Sequence, residues 1–103
     1  MSISLEEVAN RIIARENFLE KYPNSKLTEY IHELCNEYRR DYLYLYPDVV
    51  PNYKENIKEY NRFQEKYPNS PTSDIIKYYL ENYKEENINT LISKKLNKNY
   101  EGE

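Results

Sequence analysis

His32 and Cys35 stand three residues apart in a segment with helical periodicity, so their side chains are neighbours on one helix face. An imidazole beside a thiol can do two kinds of chemistry. It can activate the sulfur as a nucleophile, or it can contribute two ligands to a metal ion. A structural zinc site needs four ligands, and the chain has one histidine and one cysteine in all. Further ligands would have to come from Glu29, Glu33 or Asn36. Nucleophilic catalysis needs donors for an oxyanion, and a chain with one glycine has no Gly-rich loop to supply them. The simpler expectation is that Cys35 is a small apolar residue beside a core stripe. Catalytic, cofactor and metal sites are accordingly expected to be none. The carboxylates Glu6, Glu7, Asp41, Glu85 and Glu86 lie on polar faces and read as solvated surface charge.

The segments that would carry these residues are punctuated by proline. Ser4, with Glu7 three positions on, forms a capping box that opens a first helix. Leu5, Val8, Ile12, Leu19 and Tyr22 follow at helical spacing, and Pro23 ends the run. Ser25 caps a second helix whose expected apolar side is Leu27, Tyr30, Ile31, Leu34, Tyr38, Tyr42 and Leu45. A connector, Pro47-Asp48-Val49-Val50-Pro51, precedes an Asn52/Glu55 capping pair and a third helix with Tyr53, Ile57, Tyr60 and Tyr67 as its stripe. Ser70-Pro71 opens the fourth, since proline at the first helical position loses no hydrogen bond. Asn87 and Asn89 are candidate points for splitting that last helix in two. Residues 97–103 are expected to fray.

These segments are two copies of one unit. Glu20-Lys21-Tyr22-Pro23-Asn24-Ser25 recurs unchanged 45 residues on, as Glu65-Lys66-Tyr67-Pro68-Asn69-Ser70. Ile12/Ile57, Phe18/Phe63, Ile31/Ile76 and Tyr38/Tyr83 match in the same register, and Thr28/Ser73, Glu29/Asp74 and Arg39/Lys84 are conservative pairs. The fold class read from this is all-α: two tandem helical hairpins, about four helices, as a short solenoid or a four-helix bundle. One domain is expected over residues 1–103, with an internal duplication of 4–46 and 49–91.

Phe18-Leu19-Glu20-Lys21-Tyr22-Pro23-Asn24-Ser25 and its second copy, Phe63 to Ser70, resemble a corner found in tetratricopeptide-type proteins. Similar Phe-x-x-x-Tyr-Pro-Asn-Ser stretches occur in outer-membrane assembly lipoproteins and the periplasmic cell-division coordinator. That resemblance implies an α-solenoid that holds protein partners and catalyses nothing. The chain departs from the family in period, 45 residues against about 34. Bulky Ile31, Leu34, Ile76 and Tyr79 also stand where the family has small residues.

Composition narrows the partners. The net charge is −3 with 32 % of residues charged and signs interspersed, so nucleic acid is not an expected partner. No apolar run approaches a membrane span, so no membrane insertion is expected. As written, the chain reads as cytoplasmic; as a fragment of a longer exported chain it would be periplasmic or exported. Thirteen tyrosines are present. Codon bias in an A/T-rich genome accounts for such an excess, and so does an interface, where a tyrosine buries its ring and wets its hydroxyl. Tyr38, Tyr42 and Tyr46, with Tyr79 and Tyr83 in the second copy, are the expected partner-binding residues. The leading expectation is a non-enzymatic protein-interaction module or scaffold for a protein or peptide partner, a homodimer included. An immunity-like or regulatory bundle neutralising one protein target is the alternative. A small metal-dependent hydrolase using His32 and Cys35 is the third.

Overall fold

The computed structural model describes the chain over residues 4–43 and 53–100, with side chains over 4–43 and 56–97. Among the described residues five helices follow in order: α1 Leu5–Lys21, α2 Thr28–Leu43, α3 Tyr53–Lys66, α4 Pro71–Asn82 and α5 Ile88–Tyr100. Among the described residues there is no strand, and the all-α class is as expected. The count is five because the last helical stretch breaks. α4 stops at Asn82, whose side-chain Nδ2 donates to the Tyr78 carbonyl at 2.8 Å. Turn bonds from Glu85 N to Asn82 O and from Ile88 N to Glu85 O then re-aim the chain into α5. The break lies beside Asn87, while Asn89 sits inside α5. The Pro47–Pro51 connector, the Asn52/Glu55 capping pair, Leu45 and Tyr46 lie outside the described residues.

Helix starts follow the capping chemistry of the sequence. Ser4 Oγ accepts the Glu7 amide at 3.1 Å and satisfies one orphan donor of α1. The two Tyr-Pro-Asn-Ser corners close through one set of hydrogen bonds used twice. Tyr22 N donates to Phe18 O, as Tyr67 N does to Phe63 O, both at 2.8 Å. Ser25 N reaches Tyr22 O, as Ser70 N reaches Tyr67 O. Ser25 Oγ accepts Leu27 N at 3.1 Å and Ser70 Oγ accepts Thr72 N at 3.0 Å. Even the hydroxyls two turns on match, since Thr28 and Ser73 both donate back to the tyrosine carbonyl. The corners differ in one respect. α4 begins directly at Pro71, whose ring presets the helical φ, whereas α2 begins later, at Thr28.

All five helices supply one core: Val8, Ala9 and Ile12 from α1; Cys35, Tyr42 and Leu43 from α2; Tyr60 and Phe63 from α3; Ile75, Ile76 and Tyr79 from α4; Ile92 and Leu96 from α5. A line of rings runs through it. Tyr67–Phe63, Phe63–Tyr42, Tyr42–Tyr60, Tyr60–Tyr79 and Tyr79–Tyr83 have centroids 5.0 to 6.2 Å apart. These are tilted and edge-on pairs of the kind that gain beyond area burial. Among the described residues, no helix is long and apolar enough to cross a membrane.

The core face of α2 is a correction to the sequence reading. Leu27 and Tyr30 were expected on the inner side and are among the most exposed large apolar residues. The buried arc runs instead through Cys35, Asn36, Arg39, Tyr42 and Leu43. α2 carries more apolar surface than one face can bury, and periodicity alone does not say which part of a wide arc turns inward. Tyr22, expected on the α1 stripe, is exposed because it lies past the last residue of α1, as the helix's C-cap at the corner.

Candidate functional site

His32 and Cys35 do neighbour one another on α2, but their environments work against reactivity. Cys35 is wholly buried, with its thiol directed at the Ile12 carbonyl at 3.9 Å. Burial pushes that thiol up to about 11, only partly offset by the Arg39 charge, so the sulfur is held protonated. Partial burial, with Arg39 adding to it, lowers the pKa of His32 and favours the neutral imidazole. Among the described residues, no group of three or more His, Cys, Asp or Glu could hold a metal ion.

The most concentrated polar chemistry lies where the two hairpins meet. Arg39 of α2 is buried, and its Nη2 donates to Glu16 Oε2 of α1 at 2.8 Å. Its Nε donates to Thr72 Oγ1 at 2.7 Å and its Nη1 to Asn36 Oδ1 at 2.8 Å. Thr72 Oγ1 in turn donates to Glu16 Oε2 at 2.5 Å, and Ser70 Oγ to Glu16 Oε1 at 2.6 Å. Each carboxylate oxygen therefore receives a donor from the second corner. A buried ion pair tolerates its desolvation only when its remaining hydrogen-bonding capacity is filled, and Ser70 and Thr72 fill it. The network joins hairpin to hairpin and fixes how they sit. Periodicity did not reveal it, because an apolar stripe carries no signal for the polar Asn36 and Arg39. The interruption of apolar stripes by ionisable residues was the available signal.

A second polar cluster joins α2 to α3. Tyr42 O–H donates to Glu59 Oε2 at 2.5 Å, and Arg62 donates to both Glu59 oxygens at 2.7 and 2.8 Å. Burial works against the Glu59 carboxylate, but the Arg62 and Tyr42 hydrogen bonds outweigh it and its pKa falls. Tyr60 O–H donates to the Tyr42 carbonyl at 2.7 Å.

These contacts correct the expected tyrosine patch. Tyr42 and Tyr79 are core residues, so their rings offer nothing to a partner. Tyr38 is half-buried, its ring beside the Arg11 and Arg15 guanidinium groups at 5.8 and 5.2 Å. Tyr83 is half-buried against Tyr79, with Lys84 over its ring. Tyr46 lies outside the described residues. The second helices of the two hairpins carry rings that meet inside the molecule, through Tyr60, rather than on its surface.

Exposed apolar surface occurs elsewhere, at the tip of the first hairpin. Tyr22, Leu27 and Tyr30 are 47, 54 and 61 % exposed, and Phe18, Ile31 and Leu34 beside them are half-buried. The same six positions of the second copy are Tyr67, Thr72, Ile75, Phe63, Ile76 and Tyr79. Five of those are buried, and Tyr67 packs against the core. One duplicated surface is thus interior in the second copy and open in the first. Next to the tip, α1 and the second corner bound a cleft of about 730 Å3, with Ile13, Leu19, His32, Lys66 and Tyr67 in its walls. No family model matches the chain, and no curated protein or solved structure matches it either.

Proposed function

We propose that this protein is a non-enzymatic helical interaction module that engages a protein partner through the tip of its first hairpin. One observation carries the reading: of six positions that form the core or pack against it in the second copy, Tyr22, Leu27 and Tyr30 stand exposed in the first, with Phe18, Ile31 and Leu34 half-buried beside them. Clustered exposed apolar groups rimmed by charge mark association surfaces, whereas single exposed ones do not. Tyrosines at such a surface supply rigid contact area with a polar edge. The resemblance of the corner to tetratricopeptide-type scaffolds points the same way. So does the held-down reactivity of Cys35, which weighs against the hydrolase reading.

The test is affinity capture from the native host with the wild-type chain and with a Leu27→Glu/Tyr30→Glu variant. The expected result is a protein that co-purifies with the wild type and is lost from the variant, while circular dichroism reports unchanged helicity. Equal capture by both chains, or capture by neither, contradicts the reading.

A further inference from the structure

We infer that the tip of the first hairpin pairs with the same tip on a second copy of this chain, about a two-fold axis close to Leu27 and Tyr30. The inference rests on the tip being an association surface and names its occupant. Two observations select a second copy. The first is that the chain already uses this surface once. Phe63, Thr72, Ile75, Ile76 and Tyr79, the second-copy equivalents of tip residues, are buried, with Phe63 on Tyr42 of hairpin one and Thr72 on its Arg39 and Glu16. The corner is therefore a surface shaped to pack on helices of this protein. The acceptor face of hairpin one is filled by its own second corner. The equivalent face of hairpin two has Asn61 in place of Glu16 and Lys84 in place of Arg39, both exposed. A head-to-tail array has no acceptor there, which leaves the isologous arrangement, tip on tip.

The second observation is the charge around the tip. Lys21 and Lys26, with Glu20 and Glu29 among them, precede Tyr30 in sequence, and Glu33 and Glu37 follow it, all exposed. Antiparallel apposition of two tips about an axis between Glu29 and Tyr30 pairs Lys26 of one copy, in the turn before α2, with Glu33 of the other, twice by symmetry. Charges so arranged fix the register of the pair more than they strengthen it. The apolar centre, from Leu27 and Tyr30 outward to Phe18 and Leu34, supplies the attraction. Tyr22 and Tyr30 can lie along this seam with their hydroxyls at its edge.

Sedimentation velocity of the full chain over a concentration series tests the pairing. The expected result is a monomer–dimer equilibrium whose dissociation constant rises by about a hundredfold in Leu27→Glu/Tyr30→Glu and is unchanged in Glu81→Arg, an exposed change on α4. A second arm does not depend on disrupting the tip. Tyr30→Cys, oxidised with copper phenanthroline, is expected to give a covalent dimer across the axis, and Glu81→Cys none. Two outcomes overturn the inference: a wild-type chain that is monomeric throughout, or a dimer indifferent to both tip substitutions. A monomeric chain whose captured partner is still lost on tip substitution overturns the pairing alone and leaves the interaction module standing.

Discussion

Leu27 and Thr72 occupy the same position of the duplicated corner, yet Leu27 is more than half exposed and Thr72 is fully buried between Arg39 and Glu16. The corner hydrogen bonds match, although Thr72 lies within α4 behind Pro71 and Leu27 in the turn before α2. The larger difference is the neighbour. The second corner has the first hairpin to pack on, and the residue at this position suits that role. A hydroxyl bridges a buried ion pair where the surface is interior, and an isobutyl group faces outward where it is open.

The junction network should behave as a unit. Replacing Glu16 by Ala leaves the Arg39 guanidinium buried without its counter-charge and should cost about 3–5 kcal/mol of stability. Removing Arg39 as well, as Glu16→Ala/Arg39→Met, should cost clearly less than the sum of the single changes. Urea unfolding of the two single variants and the double variant measures this coupling. Strict additivity would mean that the pair does not hold the hairpins in register.

Stability should fall as the solution is acidified, in two steps of the same sign. His32 has a lowered pKa in the folded chain, so the unfolded chain binds its proton first as the pH drops. The contribution is complete above the ordinary histidine pKa and is lost as the pH falls towards the folded value. Glu59, also lowered, acts likewise from the ordinary carboxylate pKa downward. A His32→Gln variant should lose the first step and keep the second. Thermal midpoints across a pH series read both, and a wild-type midpoint that rose on mild acidification would contradict the assignment.

How much of this was legible in the residues divides along physical lines. Capping and proline signals are local, so the Ser4 and Ser70 starts and the stops ahead of Pro23 and Pro68 could be read directly, whereas α2 starts at Thr28 rather than behind Ser25. The repeated hexapeptide placed two equivalent corners, and their hydrogen bonds match donor for donor. Which arc of α2 faces inward was not legible, because it depends on how hairpin two docks. The stripe from Leu27 to Leu34 is as apolar as the one that is buried. The burial of Tyr42 and Tyr79 was not legible, because two hairpins alone offer too little interior for thirteen tyrosine rings. α5 adds Ile92 and Leu96 to the core, and the rings stack on one another. The Glu16–Arg39–Thr72 contact joins residues far apart in sequence, and no pattern within one helix announces it.

Cys35 should be silent in the folded state. Its thiol is buried and held protonated, its pKa pushed up to about 11. Iodoacetamide at neutral pH should label it slowly in native protein and rapidly in urea, with the slow rate tracking transient opening of the core. Fast native labelling would reopen the nucleophile reading.

The central claim is that one duplicated surface is core in the second hairpin and a docking surface in the first. Tyr30 and Ile75 are its equivalent positions, and matched substitutions at the two sites test it most directly. In dilute protein followed by circular dichroism, Ile75→Asp should unfold the chain or cost more than about 4 kcal/mol, the penalty of an unpaired charge in a core. Tyr30→Asp should change stability by no more than about 0.5 kcal/mol, as a surface change does, while abolishing association at higher concentration. Equal destabilisation by the two substitutions, or association that survives Tyr30→Asp, would contradict the account.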